Sequence, residues 1–403
     1  MAEIEQLRFL TPEIAFEVEK TVGTPAFVYS YDALKTQAEN VLKFPNAFGL
    51  TARFAMKSSP NAAILRLFDS MGLHFDCSSV HEIKRAMAAG VSPEKCSLSS
   101  QELADGFEDL VALGCKINCC SVEKFAAKCP GKEMGLRFNP GVGSGGTGKT
   151  NVGGPSSSFG IWHEQSDQCK AIADKAGCKV VRIHTHIGSG SDPAVWRRCT
   201  SLSIALCENF ADATTLNLGG GYKVGRMANE KGTDILKDCD VVKEVFEEFA
   251  AKHGRKLHLE IEPGTYLVAN SGALIASVHD IVTTGTSAGK TFIKLDAGMT
   301  EVLRPSLYGS QHPLVIVPKD AARAAQRKAY VVCGHCCESG DLMTPAPGEP
   351  ETLAERMMCE AAPGDLMVIE GSGAYCAGMC TKNYNSFPEA PEVPTPPSSN
   401  PKP

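Results

Sequence analysis

Residues 51–79 read TARFAMKSSPNAAILRLFDSMGLHFDCSS. The run 51–57 is short and β-rich. Residues 61–72 then carry Ala63, Leu65, Leu67 and Phe68 among polar neighbours, the pattern of an amphipathic helix. The run 74–79 returns to strand character. The same alternation continues down the chain. Further strand candidates fall at 96–100, 115–121, 132–139, 179–187, 214–219 and 256–262, with helical stretches such as 80–90, 102–113 and 239–253 between them. Eight strands alternating with helices over roughly 210 residues match a (β/α)8 barrel of the TIM type. An open doubly wound sheet is the alternative.

Beyond 265 the pattern changes. Segments 266–285, 291–296, 312–318, 328–333 and 366–370 are short and β-branched, separated by Gly, Pro and Asp turns. They predict an all-β second domain. The expected division is an N-terminal segment over 1–30 packing with the β domain, the barrel over 31–265, a β-sandwich or barrel over 266–388, and a Pro-rich disordered tail over 389–403. The 403 residues carry 40 Lys+Arg against 46 Asp+Glu, a net charge of −6. That balance argues against a nucleic-acid partner. No run of 18 apolar residues occurs, so no membrane partner is expected. The 17 cysteines form an odd set in a long chain, which favours free thiols in a reducing cytoplasm. A processed organellar protein reads the same way.

In such barrels chemistry gathers at the C-terminal strand ends. There this sequence places Lys57, Asp76, His184 and His186, the triplet Gly219–Gly221, and Glu262 before Pro263-Gly264. Arg137 sits within an apolar strand context. The two histidines are read as facing opposite sides of their strand. Each residue alone has a plain structural explanation: a solvated lysine, a hydrogen-bonded core histidine, a turn, a loop acid. Together on one rim they suit a phosphorylated aromatic cofactor. Glycine amides approach a phosphate closely, a histidine ring stacks on an aromatic ring, and a carboxylate holds a pyridinium proton. A lysine amine forms a Schiff base with an aldehyde. Those properties describe pyridoxal 5'-phosphate.

The segments FAMKSSPN, HFDCSS, THIGSG, NLGGGY, EIEPG, LDAGMTEVLRPSLYG, CCESGD, GSGAYCAGM and NYNS occur in that order. From about 26 to 388 the chain resembles the pyridoxal-phosphate-dependent decarboxylases of the alanine-racemase-like barrel fold, the ornithine/diaminopimelate/arginine group. RPSLYG and CESGD resemble its diaminopimelate decarboxylase branch. The resemblance implies decarboxylation of meso-2,6-diaminopimelate to L-lysine, in lysine biosynthesis. It implies that Lys57 bonds the cofactor, His186 stacks on its ring and Glu262 pairs with its ring nitrogen. Ser189, Gly219, Gly220, Gly221 and Gly264 would cradle the phosphate, with Tyr375 also touching the cofactor, and Asp76 and Arg137 would line its pocket. Arg304, Tyr308 and Glu338 would bind substrate. Cys337 would protonate Cα, from the second subunit of a homodimer. A thiol is mostly protonated at neutral pH, as an acid must be.

One position departs from the pattern. The diaminopimelate enzymes usually read Glu-Pro-Gly-Arg, whereas this chain reads Glu262-Pro263-Gly264-Thr265. A neutral hydroxyl replaces a bidentate cation. Ornithine, arginine or a carboxylated polyamine are therefore alternative substrates, and a non-catalytic regulator on the same fold is the reading from another class. Two motifs point elsewhere. Gly143–Thr150 (GSGGTGKT) satisfies the phosphate-loop pattern, but NVGGPSSSFG follows where a helix is required. Cys333, Cys336 and Cys337 with Cys376 and Cys380 approach zinc-ligand spacing, but the two groups lie too far apart for a compact module; no metal is expected.

Overall fold

A computed structural model of the chain describes residues 4–143, 152–186, 192–285 and 287–395. It divides into two units: residues 35–224 with 231–267, and residues 1–34, 225–230 and 268–403. The first strand, β1 (Ala26–Tyr29), belongs to the second of these.

The first unit is the barrel. Its strands are β2 (Leu50–Ala55), β3 (His74–Cys77), β4 (Cys96–Leu98), β5 (Lys116–Cys119) and β6 (Glu133–Asn139). A two-residue β7 (Ile161–Trp162) follows, then β8 (Lys179–Thr185), β9 (Thr215–Asn217) and β10 (His258–Ile261). Each pairs in parallel with the next, and β6 passes to β8, with β7 as an appendage on β6. Pairing of β10 with β2, Glu260 opposite Thr51, closes the ring. All eight expected strands are present.

Local chemistry fixes the crossovers. Asn61 caps the helix Ala62–Ser70 by accepting from the amides of Ala63 (2.9 Å) and Ile64 (3.4 Å). Ser79 and Glu82 form a reciprocal cap on Val80–Ala88: Ser79 Oγ accepts from the Glu82 amide (3.1 Å), and Glu82 accepts from the Ser78 amide (2.6 Å). Phe68 of the first helix meets Phe54 of β2 edge-on at 4.9 Å. Ile64, Leu65 and Phe68 are all buried, so this helix is held to the barrel by its apolar stripe.

The barrel interior is polar. Arg53 grips Glu260 with Nε (3.0 Å) and Nη2 (2.8 Å), Arg182 reaches the same carboxylate at 3.0 Å, and Asn217 donates to it at 3.2 Å. All four residues are buried. Burial raises the Glu260 carboxyl, but the two guanidiniums outweigh it and hold the group far below the carboxylate range.

The second unit is mostly sheet. Its remaining strands are β11 (Gly272–Thr283), β12 (Thr291–Leu295), β13 (Leu314–Val317), β14 (Arg327–Cys333), β15 (Pro345–Ala346), β16 (Glu349–Leu353), β17 (Arg356–Cys359), β18 (Leu366–Ile369) and β19 (Glu392–Pro394). The order β13-β18-β11-β12-β14-β17 forms the main path, and β1 pairs antiparallel with β11, Ala26 opposite Ile275. The helix Pro12–Thr21 contributes Ala15 and Val18 to a core with Ala26, Val28, Ala273, Ile275, Leu366 and Val368.

Two expectations need correction. The stretch 266–285 begins helically, as Thr265–Val268 and a 3-10 turn at Ala269–Ser271, before β11 starts. A short apolar run without alternation does not distinguish the two states. The tail is not disordered from 389, because β19 pairs in parallel with β1, Val393 opposite Val28. An edge strand tolerates proline where its N–H is not needed.

Candidate active site

β2 ends in a 3-10 turn at Met56–Ser58. The turn is tied down by the Ser58 hydroxyl, which donates to the Ala55 carbonyl at 2.8 Å. The turn leaves Lys57 exposed. The Lys57 charge opposes the rise of the Asp76 pKa at the end of β3 and, after burial, adds to the lowering of the His186 pKa just past β8. The lysine therefore stands at the same rim as these groups.

Glu262 follows β10 and is buried. Its Oε1 accepts from Asn217 Nδ2 at 2.7 Å, and its Oε2 accepts from His184 Nε2 at 3.1 Å. Burial pushes this carboxyl up, but His184, then His186 and Arg137, outweigh it and hold it below the usual carboxylate range. Burial keeps His184 neutral. Because a carboxylate only accepts, His184 carries its proton on Nε2, and Nδ1 is left buried with no partner among the described residues. His186 is also neutral, through burial and then the Lys57 charge. Its Nδ1 accepts from the Gly220 amide at 3.0 Å, which fixes the tautomer with the proton on Nε2.

The two histidines do not face opposite sides. Residues two apart on a strand share a face, and both act on Glu262. Asn217, which orients both Glu260 and Glu262, was missed in the sequence. Its signal was an amide two residues before the glycine triplet.

The glycine turn is locked against these groups. Gly219 has φ +69, and a Cβ there would lie 2.5 Å from His186 Nδ1 and 2.8 Å from the Thr185 carbonyl oxygen. At Gly220 a Cβ would lie 2.4 Å from the Glu262 carbonyl oxygen. The Gly219 amide donates to Asn217 Oδ1 at 2.8 Å, and the Gly219 carbonyl accepts from the Glu262 amide at 2.8 Å. Two of the three triplet amides are thus engaged within the protein. Gly264 packs on Ala55 and Ser58 at the end of β2.

Asp76 is buried, and its Oδ1 has no partner among the described residues. Burial, then the Glu262 charge, pushes its carboxyl well above the carboxylate range, against the Lys57 charge. Arg137 is buried beneath the Phe159 ring, 5.1 Å from its centroid. The rim thus offers a primary amine, an ionised carboxylate, a neutral imidazole and orphaned polar atoms on Asp76 and His184. That donor set fits a pyridine ring bearing an aldehyde and a phosphate.

In the sheet unit, Arg304 and Tyr308 share the short helix Arg304–Tyr308, the guanidinium 5.8 Å from the Tyr308 ring centroid. Tyr375 has φ +57. Cys337 is exposed, and its amide donates to Asn385 Oδ1 at 2.8 Å. Glu338 is exposed beside Tyr384, whose hydroxyl donates to it at 3.3 Å. Ser189 and residues 144–150 of the phosphate-loop pattern lie outside the described residues. Among the described residues no group of three His, Cys, Asp or Glu side chains is arranged to hold a metal ion. No described helix is long and apolar enough to cross a membrane.

Residues 34–269 match the family model described as "Pyridoxal-dependent decarboxylase, pyridoxal binding domain". The chain is 33% identical over 395 residues to diaminopimelate decarboxylase of Escherichia coli, covering 95% of this chain and 91% of that one. A crystal structure of a diaminopimelate decarboxylase superposes with a TM-score of 0.88 at 32% identity, covering 96% of this chain and 91% of the other. The Helicobacter pylori enzyme, complexed with L-lysine, gives a TM-score of 0.80 at 26% identity over 94% and 93% of the two chains. With its barrel rim and these relatives, the chain belongs to the pyridoxal-dependent ornithine/diaminopimelate/arginine decarboxylase family, on its diaminopimelate decarboxylase branch.

Proposed function

We propose that this pyridoxal-phosphate-dependent carboxy-lyase acts on meso-2,6-diaminopimelate and releases CO2 and L-lysine. The observation that carries the reading is the buried Glu262 carboxylate, kept ionised between Asn217 and His184 on the rim that also holds Lys57.

When bound, pyridoxal 5'-phosphate supplies an electron sink for the pair left at Cα as CO2 departs. The residues of this chain prepare that chemistry. Lys57 is the amine that would hold the cofactor. Glu262 would hold a proton on the cofactor's ring nitrogen, and the neutral ring of His186 would pack against the cofactor. Asp76 and Arg137 line the pocket. Two triplet amides are already used by Asn217 and His186, so Gly219 and Gly220 act through close approach. Among the described residues, Gly221 and Gly264 offer backbone to the phosphate. Tyr375 contacts the cofactor, and Arg304, Tyr308 and Glu338 bind the substrate. Cys337 returns the proton to Cα.

The exposure of Cys337 suits a group that acts in a second copy of the chain, and we take the active form to be a homodimer sharing its sites. The seventeen free thiols suit a cytoplasmic setting. Thr265 favours a second reading, in which ornithine or arginine is the substrate. Measuring CO2 and amine products from diaminopimelate, ornithine and arginine, with and without added cofactor, tests both. Release of L-lysine from diaminopimelate is the expected result; turnover of ornithine or arginine alone would replace it.

A further inference from the structure

Two stretches of the sheet unit, 335–338 and 384–387, meet with their contacts in reverse order. The His335 ring stacks on Phe387, 3.7 Å between centroids and 10° between planes. The Cys337 amide donates to Asn385 Oδ1 at 2.8 Å. The Tyr384 hydroxyl donates to Glu338 at 3.3 Å. His335 is held a second time, its Nε2 2.6 Å from Thr300 Oγ1.

The loop 334–341 is also cinched by its own carboxylate. Asp341 is 2% exposed. Its Oδ1 accepts from the Met299 amide at 2.7 Å, and its Oδ2 accepts from the Cys336 amide at 2.8 Å. A Cβ on Gly298 or on Gly334 would lie 2.2 Å from the same carboxylate, so its seat requires both glycines. Met299 serves both stretches, because its carbonyl accepts from the Thr381 amide at 3.1 Å. The consecutive amides of Cys336 and Cys337 thus end on oxygens of Asp341 and Asn385.

The second stretch is strained. Four described non-glycine residues have positive φ, and three of them are Asn383 (+63), Asn385 (+49) and Ser386 (+63). Left-handed backbone is costly for an L-residue, and such strain persists only where the surroundings impose it. Tyr384, Asn385 and Ser386 are exposed, so buried apolar surface does not impose it there. The directed contacts to 335–338 do. A single hydrogen bond adds only modestly to stability, but this one fixes the backbone that carries the Cys337 side chain.

We propose that Asn385 is a positioning residue: its side chain holds the Cys337 backbone so that the thiol meets the substrate carbon in one orientation. This rests on the reading of Cys337 as proton donor.

The test uses the holoenzyme with N385G, N385D, C337A and the double variant N385G/C337A. Glycine accepts the left-handed backbone, so N385G removes the acceptor without adding strain. Aspartate tolerates the same backbone and keeps an oxygen for the Cys337 amide. With diaminopimelate, or with ornithine should wild type turn over that instead, kcat of N385G should fall about 10- to 100-fold, the cost of misplacing a reacting group by about 1 Å. KM, the cofactor's visible absorbance and the denaturant midpoint should stay near wild type, and N385D should recover most of the loss. In the C337A background N385G should cost nothing more. Unchanged kcat in N385G, losses that multiply in the double variant, or a fall in kcat matched by loss of cofactor absorbance would overturn the proposal and leave the proton-donor reading standing. Wild-type kcat in C337A would remove that reading, and the proposal with it.

Discussion

Gly219→Ala probes the coupling between the glycine turn, His186 and Glu262, and Gly254→Ala is its internal control. The two glycines have nearly equal backbone angles, φ +69 and +66. Each alanine therefore carries the same left-handed penalty, about 1 kcal/mol. Their surroundings differ. A Cβ at 254 meets nothing within 4 Å, whereas one at 219 lies 2.5 Å from His186 Nδ1 and 2.8 Å from the Thr185 carbonyl oxygen. Relieving that overlap costs a further ~1–3 kcal/mol. Moving the ring also breaks the bond from the Gly220 amide, worth about 1 kcal/mol. The excess for Gly219→Ala is then about 2–4 kcal/mol. Because the strain sits on the ring proposed to pack against the cofactor, part of it should appear in binding, as a loss of at least about tenfold. Equilibrium titration with pyridoxal 5'-phosphate, beside denaturant midpoints for both variants, reads the two effects. Equal cofactor affinity in Gly219→Ala, Gly254→Ala and wild type would refute the reasoning.

Cys337→Ala should keep cofactor binding while product formation falls about 10²- to 10⁴-fold, the range for a general acid; wild-type turnover would remove the assignment. Glu260→Gln leaves Arg53 and Arg182 without their buried carboxylate and should destabilise the barrel by about 3–5 kcal/mol, read by denaturant unfolding. A loss below about 1 kcal/mol would contradict the role given to this network. Glu301 accepts from the Gly298 amide (2.9 Å) and the Thr300 hydroxyl (2.7 Å), and burial pushes its carboxyl up to about 7. The folded state thus holds this proton more tightly than the unfolded chain. Its contribution is complete below the unfolded carboxyl's pKa of about 4.3 and disappears as pH rises through about 7. Glu301→Gln should flatten that decline in stability, and parallel pH profiles for variant and wild type would show the carboxyl is not responsible.

The barrel was legible because each strand is a short β-rich run bracketed by amphipathic helix, a contrast that survives in a single sequence. The rim was legible because Lys57 and Glu262 directly follow apolar residues and His186 closes the polar run HTH. The Arg53–Glu260–Arg182 network escaped notice although its signal was present, as charges embedded in LTARFA, HLEI and KVVRIHT. Charge within a strand shows that a partner is needed, and only the closed ring reveals which one. The histidine pair was misread through the two-residue period itself. In the sheet unit, β16 is largely exposed and β19 carries a proline, so neither shows the alternation that marks a half-buried strand. The engagement of Gly219 and Gly220 by Asn217 and His186 depends on tertiary approach, which spacing alone does not encode.

The most direct measurement is chemical trapping of the amine that holds the cofactor. The holoenzyme is reduced with borohydride, digested, and its peptides are mapped by mass spectrometry. A single pyridoxyl adduct on the peptide containing Lys57 is the predicted result. An adduct on another lysine, or none on a protein that retains cofactor and activity, would contradict the assignment of this rim as the active site.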